Sequence, residues 1–431
     1  MKKLFVFLMT VSLALAQGLF ESAQSKTFNY ALSGEIRSGL LAGGATDSLH
    51  TKDLFSRLDI GLKAEAGRRA YAFAELRLRH HRLSGKDTLE INLREAYVDL
   101  GFGPFRARLG KQIEIWGRAD AFSSLDNLSP KDLRRVYGDP GDMRMGNFFL
   151  NSSVRLGMSS SLQGIWIPVY RANIFPHDLF EMPDNVQYGG ILTPDAVFKN
   201  SGGALRLDLV TSEYDAGFSY LNAYALQPGF SAEMQVHSPT DIRYRFYQKP
   251  WRQQVVGFDA AFTAGAWSFR FEGSYMLPDS AGDQIHIPEK EVQWTLGLDR
   301  AWGPLRILVE YNGKYIPEFS ELAPPSDPAL LMDYRLLTCK RLFFSQQDMV
   351  RHGFFIRPSL TLFHDTFEIE VPFLHYFTGN EYMFSPSISF EPADALRIRL
   401  GATVYNGEDN TLFELLSEQY NGLFAEIRIS F

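Results

Sequence analysis

Between Glu95 and Ile115 the chain alternates apolar with charged residues across a Gly-Phe-Gly-Pro corner at 101–104. Ala96, Val98 and Leu100 share one face, opposite Glu95, Tyr97 and Asp99. Past the corner, Phe105, Ala107, Leu109, Ile113 and Ile115 oppose Arg106, Arg108, Gln112 and Glu114, and only Lys111 interrupts the apolar row. Period two identifies strands with one apolar and one polar face. The polar face here carries full charges of both signs. A soluble sandwich puts its apolar face in a core and its charges in bulk water. A transmembrane barrel turns apolar side chains to lipid and charges to a wet lumen. This stretch alone fits both.

The ends of the chain separate the two. Lys2 and Lys3 precede an apolar run over 4–13 and the small-x-small triplet Ala14-Leu15-Ala16, so residues 1–16 read as a secretory signal peptide. Gln17 follows in place of a lipidatable cysteine. No later run of 18 apolar residues is long enough for a transmembrane helix. The single cysteine, Cys339, cannot form an internal disulfide. The formal net charge of −7 becomes more negative once Lys2 and Lys3 are removed, which gives no sign of nucleic-acid binding. At the other end, Leu423, Ala425, Ile427, Ile429 and Phe431 form one apolar face against Glu426, Arg428 and Ser430. An exported chain that closes on an amphipathic strand with a C-terminal Phe has the form of an outer-membrane barrel. That Phe431 end is also where the barrel-assembly machinery would engage it. Aromatics at 14% of residues suit two interfacial girdles.

Taken in order, the alternation predicts strands near 28–43, 54–66 and 71–79, then the pair around the 101–104 corner. A phase change near Arg94 predicts a β-bulge. Hairpins are expected over 202–226, 255–277, 291–316, 352–377 and 382–406, with 330–346 readable as strand or helix. The whole is one antiparallel transmembrane β-barrel over residues 17–431, with about 16 to 18 strands. Long loops are expected near 118–149, 177–200, 227–250, 317–350 and 407–420. A short helix starting at Ser129-Pro130-Lys131-Asp132 is a further expectation.

Several pieces of this sequence carry a family resemblance: LREAYVDL at 93–100, LGKQIEIWGRAD at 109–120, NLSPKDLRR at 127–135 and GIWIPVYRANIFP at 164–176. NSGGALRLDL at 200–209, VVGFDAAF at 255–262, WTLGLDRAWGPLRILVEYNGKYI at 294–316 and the closing AEIRISF continue it in collinear order. Together they resemble a family of porin-like Gram-negative outer-membrane proteins known mainly as a domain of unknown function. The resemblance implies an outer-membrane barrel that passes hydrophobic or small polar compounds. It implies no established functional residues.

The candidate pore wall is Glu75, Arg77, Arg79, Arg94, Glu95, Asp99, Arg106, Arg108 and Glu114, all of inward phase on neighbouring strands. Opposed charges across a lumen set a transverse field that selects permeants. The competing reading is a wall of mutually paired charges that stiffens a closed lumen. The candidate constriction loop carries Arg118, Asp120, Asp126, Asp132, Arg134 and Arg135. Its aspartates, with Asp139 and Asp142, are hard oxygen donors of the kind Ca²⁺ takes, but their spacing fits no calcium loop, so a mixed-charge plug is expected and no metal. His80 and His81 point to opposite faces of a strand and cannot chelate together. No nucleophile, base and orienting group are brought together by the pattern, so neither catalysis nor a cofactor is expected. Trp116, Trp166, Tyr170, Tyr275, Trp294, Trp302, Tyr311 and Tyr315 read as interface girdles, with a ring-lined sugar or hydrocarbon track as the alternative. The function expected is passage of small molecules across the outer membrane. The alternative is a non-conducting barrel acting as a binding or assembly component of the envelope, with an outer-membrane hydrolase behind it.

Overall fold

The structure is a computed structural model that describes residues 28–43, 50–67, 69–83, 85–134, 140–177, 185–238, 241–280 and 284–431. The signal-peptide reading of 1–16 lies outside these residues. The first seven strands are β1 (Phe28–Gly43), β2 (His50–Ala66), β3 (Ala70–Leu83), β4 (Lys86–Phe102), β5 (Phe105–Gln112), β6 (Asn147–Arg155) and β7 (Ser160–Ile167). The sheet continues through Gly202–Val210, Tyr214–Tyr224, Arg252–Ala264, Trp267–Pro278, Glu291–Trp302, Leu305–Tyr315 and Val350–Leu362. The next strand runs Phe367–Glu370 and Phe373–Tyr376, broken by Pro372. Its neighbour runs Glu381–Phe384 and Ser387–Ala393, broken by Pro386. Proline cannot donate to the ladder, so each break falls where a ladder bond is missing. Leu396–Asn406 and Gly422–Ser430 finish the sheet, and the last strand pairs antiparallel with β1. With the two broken strands each counted once, the described residues form a closed antiparallel barrel of 18 strands.

Closure explains why the alternation had to be so regular. With no edge, every inward residue is matched by an outward one. On β2, Leu54 and Leu62 are exposed on the outer face while Arg57 and Asp59 are buried inside. The apolar row therefore faces outward, the arrangement of a barrel in lipid rather than of a soluble sandwich. The tight turns lie at one end. Gly67, Gly103, Gly265 and Gly303 there have φ near +60°, a conformation only glycine adopts without strain. The other end carries the long connections. No described helix is long and apolar enough to cross a membrane.

At the seam between first and last strands the terminal residue pairs with a glycine. Gly34 N donates to Phe431 O at 2.8 Å and Phe431 N donates to Gly34 O at 2.9 Å. The Phe431 ring lies over Gly34, so close that a Cβ there would overlap it. Only the ring tip is met and Phe431 is 61% exposed, so Gly34→Val is expected to swing the ring aside at a cost of less than about 1 kcal/mol. Heat-modifiable gel migration should show a folded fraction close to that of the wild type.

The loop end is built up rather than left irregular. Residues 227–250, expected as a loop, hold the hairpin Gly229–Ser238 with Asp241–Lys249, and Val186–Ile191 adds to it in parallel. The ambiguous 330–346 segment is helix α1 (Leu331–Phe343). α1 sets Phe343 against Phe230 and Phe175, with ring centroids 4.7 and 5.0 Å apart. Its buried Lys340 donates to Ile287 O at 3.0 Å and reaches Glu289 at 3.2 Å. A second helix, α2 (Leu412–Tyr420), is started by the Thr411 side chain. The helix expected to start at Ser129–Asp132 does not form there, because Lys131 and Asp132 make β-bridges to Arg144 and Ile174.

His286, buried in this outer layer, has its pKa lowered to about 4, first by burial and then by Lys249 and Lys340. The folded layer thus holds fewer protons than the unfolded chain below the ordinary value of 6.5. Its stability is full above that pH, falls as pH drops towards 4 and levels off below. Melting of the layer, followed by fluorescence of the buried Trp251, should move to lower temperature between pH 7 and 4.5. His286→Gln should flatten that dependence.

Candidate functional site: the lumenal loop and its charged wall

After Gln112 the chain leaves the wall and enters the lumen, returning only at Asn147. The entry is fixed from the wall: Glu95 accepts from Ile113 N at 2.8 Å. Glu114 accepts from Asn151 and Gln163 at 3.0 and 2.8 Å. The loop then crosses to the far side. There Glu272 accepts from Arg118 N, Ala119 N and Leu125 N at 3.0, 3.2 and 2.9 Å, and from the Ser123 and Ser124 hydroxyls at 2.7 and 3.2 Å. Glu310 accepts from Asp120 N and Ala121 N at 2.6 and 3.0 Å. Both carboxylates are nearly inaccessible, at 1% and 0% exposure. A buried carboxylate is tolerable only when its lone pairs are filled, and the loop backbone fills them.

Side chains add a second layer of attachment. Arg118 donates to Asp259 at 2.6 Å and lies 3.4 Å from Asp215. Asp120 pairs with Arg270 at 2.8 Å and approaches Arg357 at 3.9 Å. Trp116, Leu125 and Leu128 pack on Phe149, Ile165, Leu221 and Val255 of the inner wall. Trp116 is thus a buried lumenal anchor and not a girdle residue, whereas Trp166 and Trp302 are exposed on the outer surface. α2 covers a further stretch of wall with Phe413 and Tyr420. The Tyr420 hydroxyl also donates to Leu133 O at 3.2 Å, joining helix to loop.

The loop returns past the opposite wall. Asp126 pairs with Lys131 at 2.9 Å and with Arg144. Asp132 pairs with Arg134 at 2.7 Å, and Arg134 reaches Glu90 at 2.8 Å. Arg135 lies outside the described residues. Asp142 then meets Arg37, with Arg57 at 2.8 Å and Arg77 at 3.8 Å. Arg77 holds Asp59 with two bonds of 2.8 and 2.9 Å. Arg79 is buried over the Phe55 ring at 5.9 Å. The bulge expected near Arg94 is present, since Glu75 pairs with Glu95 and Leu76 with Leu93, leaving Arg94 unmatched. The extra residue aims its guanidinium into the lumen, at Glu75 (3.1 Å) and at Gly141 O (3.1 Å). Lys111 keeps its outward phase opposite Ala96, but its amine folds back to Asn92 at 3.2 Å and to Leu93 O. Nearer the tight turns, Asp99 receives Arg106 at 2.7 Å and Arg108 at 2.9 Å.

The wall and loop residues thus meet around a cavity of about 350 Å³ lined by Glu35, Arg57, Asp59, Glu75, Arg77, Arg94, Asp142 and Arg428. The alternation over 54–66 puts Arg57 and Asp59 on the polar face of β2, but nothing in it links them to Asp142. Nor does the alternation single out Glu272 and Glu310, each the isolated inward acid of a largely apolar strand, WSFRFEGSYML and PLRILVEYNGKYI. Each is the single acid of its strand, and Glu310 has no cation two residues away, whereas Glu272 has Arg270 at that spacing. Among the described residues, no three His, Cys, Asp or Glu gather as a metal site.

A closed barrel of this size, lipid-facing outside and with a loop folded into a charged lumen, is a porin-like transmembrane barrel of the outer-membrane type. Residues 67–281, about half of the chain, match the family described as protein of unknown function (DUF1302). The fold is similar to that of Pseudomonas aeruginosa OccK5 (OpdH), at 9% identity and a TM-score of 0.53, over 94% of this chain and 97% of that one. It is equally similar to the P. aeruginosa outer membrane protein opdK, at 8% identity and 0.53, over 94% and 98%. P. aeruginosa OccK2 (OpdF) in complex with glucuronate aligns at 8% identity and 0.51, over 94% and 97%. No curated protein matches the chain.

Proposed function

We propose that the protein is an outer-membrane channel that passes small polar molecules along one side of its lumen. One observation carries this reading. The lumenal loop and α2 cover the apolar part of the inner wall, whereas two cavities of about 350 and 760 Å³ lie along the charged side of the lumen on β1–β7. On this reading Glu75, Arg77, Arg79, Arg94, Glu95, Asp99, Arg106, Arg108 and Glu114 line or support the passage. The loop residues Arg118, Asp120, Asp126, Asp132 and Arg134 hold the constriction in place. The filter itself is Asp142 facing Arg37, Arg57 and Arg77, a local field where the loop meets the wall of β1–β3. The tight-turn end faces the periplasm, and the closing strand ending at Phe431 is the segment the assembly machinery would engage. Selection by size and charge needs no catalytic group, and the reading includes no enzymatic activity.

The same Asp142 contacts support a second reading, a barrel closed at rest that serves as a binding or assembly component. Liposome swelling separates the two. Folded protein is expected to admit small neutral sugars with a sharp size limit. The absence of swelling for every solute, from protein shown to be folded by heat-modifiable migration, would favour the closed barrel.

A further inference from the structure

We propose that apolar solutes leave the lumen sideways, through a row of missing ladder bonds at mid-height in the barrel wall, and enter the outer membrane directly. The proposal rests on the channel reading only as far as that row, since solute must reach it from outside.

Three prolines stand in a diagonal row on neighbouring strands: Pro358 within Val350–Leu362, then Pro372 and Pro386 at the breaks of the next two. The register is the same on both sides of each break, so Pro358 lies opposite Val371, Pro372 opposite Ser385 and Pro386 opposite Ala402. One ladder bond is present in each pair. Val371 N donates to Pro358 O, Ser385 N to Pro372 O and Ala402 N to Pro386 O, all at 3.0 Å. The return bond would need an N–H that proline lacks. Three consecutive strand junctions therefore each lose a bond at one level, and the carbonyls of Val371, Ser385 and Ala402 lose their ladder donors.

The level of the row gives it meaning. It lies midway along its strands, between the loop end and the tight turns, at the height of the hydrocarbon core. A backbone carbonyl without a donor is costly there unless it faces a wet cavity, so the row marks where the wall opens to lumenal water. On the inner face, the short Ser385 and Thr403 hydroxyls meet at 3.3 Å. Towards the loop end, Phe355, Leu374 and Met383 belong to the apolar lining against which α2 packs. Towards the tight turns the lining becomes charged, with Arg397 at 2.7 Å from Glu368 and Arg399 at 3.6 Å from Glu370. An apolar solute following the lining from the loop end reaches its lower limit at the row. Outside, Phe384, Ile388, Leu400 and Val404 are exposed around the same place.

The test is entry of N-phenyl-1-naphthylamine, which fluoresces once dissolved in membrane, into intact Gram-negative cells carrying the full chain. Those cells are expected to take up the dye several-fold faster than cells without the protein. Phe373→Cys with Phe384→Cys, in a Cys339→Ser background, sets two thiols directly opposite each other beside the row. A facing antiparallel pair of this kind lies within disulfide reach. Oxidation is expected to bring dye entry down to that of cells without the protein, and reduction to restore it. Pro358→Ala with Pro372→Ala and Pro386→Ala returns the three donors. It is expected to slow entry several-fold while the ion current of the purified protein stays at the wild-type level. Dye entry that ignores both the disulfide and the alanines would overturn the proposal, as would entry no faster than in cells without the protein. Disulfide-sensitive entry through an electrically silent protein would support the lateral exit and count against the full channel alone.

Discussion

Glu272→Ala combined with Glu310→Ala is expected to raise single-channel conductance at least about twofold and to add strong open-channel noise. Seven loop donors end on these two carboxylates. Hydrogen bonds to a charged group contribute about 1.5–3 kcal/mol each, and leaving a buried donor unpaired costs about 1–3 kcal/mol. No other attachment of the 117–125 segment is of that size. The barrel ladders do not pass through either side chain, so the fold should survive while the loop swings from the far wall. Glu272→Gln with Glu310→Gln keeps the shape and loses the charge, and should give an intermediate noise level. An unchanged current in the alanine variant would mean that the loop does not limit flow.

Asp142→Asn is expected to have the second largest effect, a shift of several-fold in the anion-to-cation permeability ratio towards anions. Asp142 is the carboxylate that the loop presents to Arg37, Arg57 and Arg77. Neutralising it leaves a net positive constriction, and low dielectric around a narrow passage amplifies the change. Arg57→Ala should move the ratio the other way. The reversal potential in a salt gradient reads both. Equal ratios in wild type and Asp142→Asn would place the filter elsewhere.

The barrel was legible from the sequence because closure forces periodicity. Each of Leu54, Leu58, Ile60 and Leu62 must face lipid, so the opposite phase is bound to hold Arg57 and Asp59. Even the bulge could be read, since one inserted residue flips the phase between Leu93 and Ala96. The lumenal loop was visible as a failure of alternation, but its path was not. What Asp142 or Arg118 touches is set by strands 37–77 or 215–259, distant in sequence and joined only by the circumference of the barrel. Trp116 illustrates the limit. At the end of a strand its ring suits an interface girdle, and only the inward turn after Gln112 sends it to Phe149 and Leu125 instead.

The arrangement also explains how so many charges are buried inside the barrel. Their partners lie on neighbouring strands or on a loop that the strands hold still, so little side-chain entropy remains to be lost. Removing one partner is accordingly more disruptive than the pair is stabilising.

The most direct measurement is single-channel recording of the purified, refolded protein in a planar bilayer. Discrete conductance steps are predicted, with an ion selectivity that moves towards anions in Asp142→Asn. Electrical silence from protein shown to be folded by heat-modifiable migration, persisting in Glu272→Ala with Glu310→Ala, would contradict the channel.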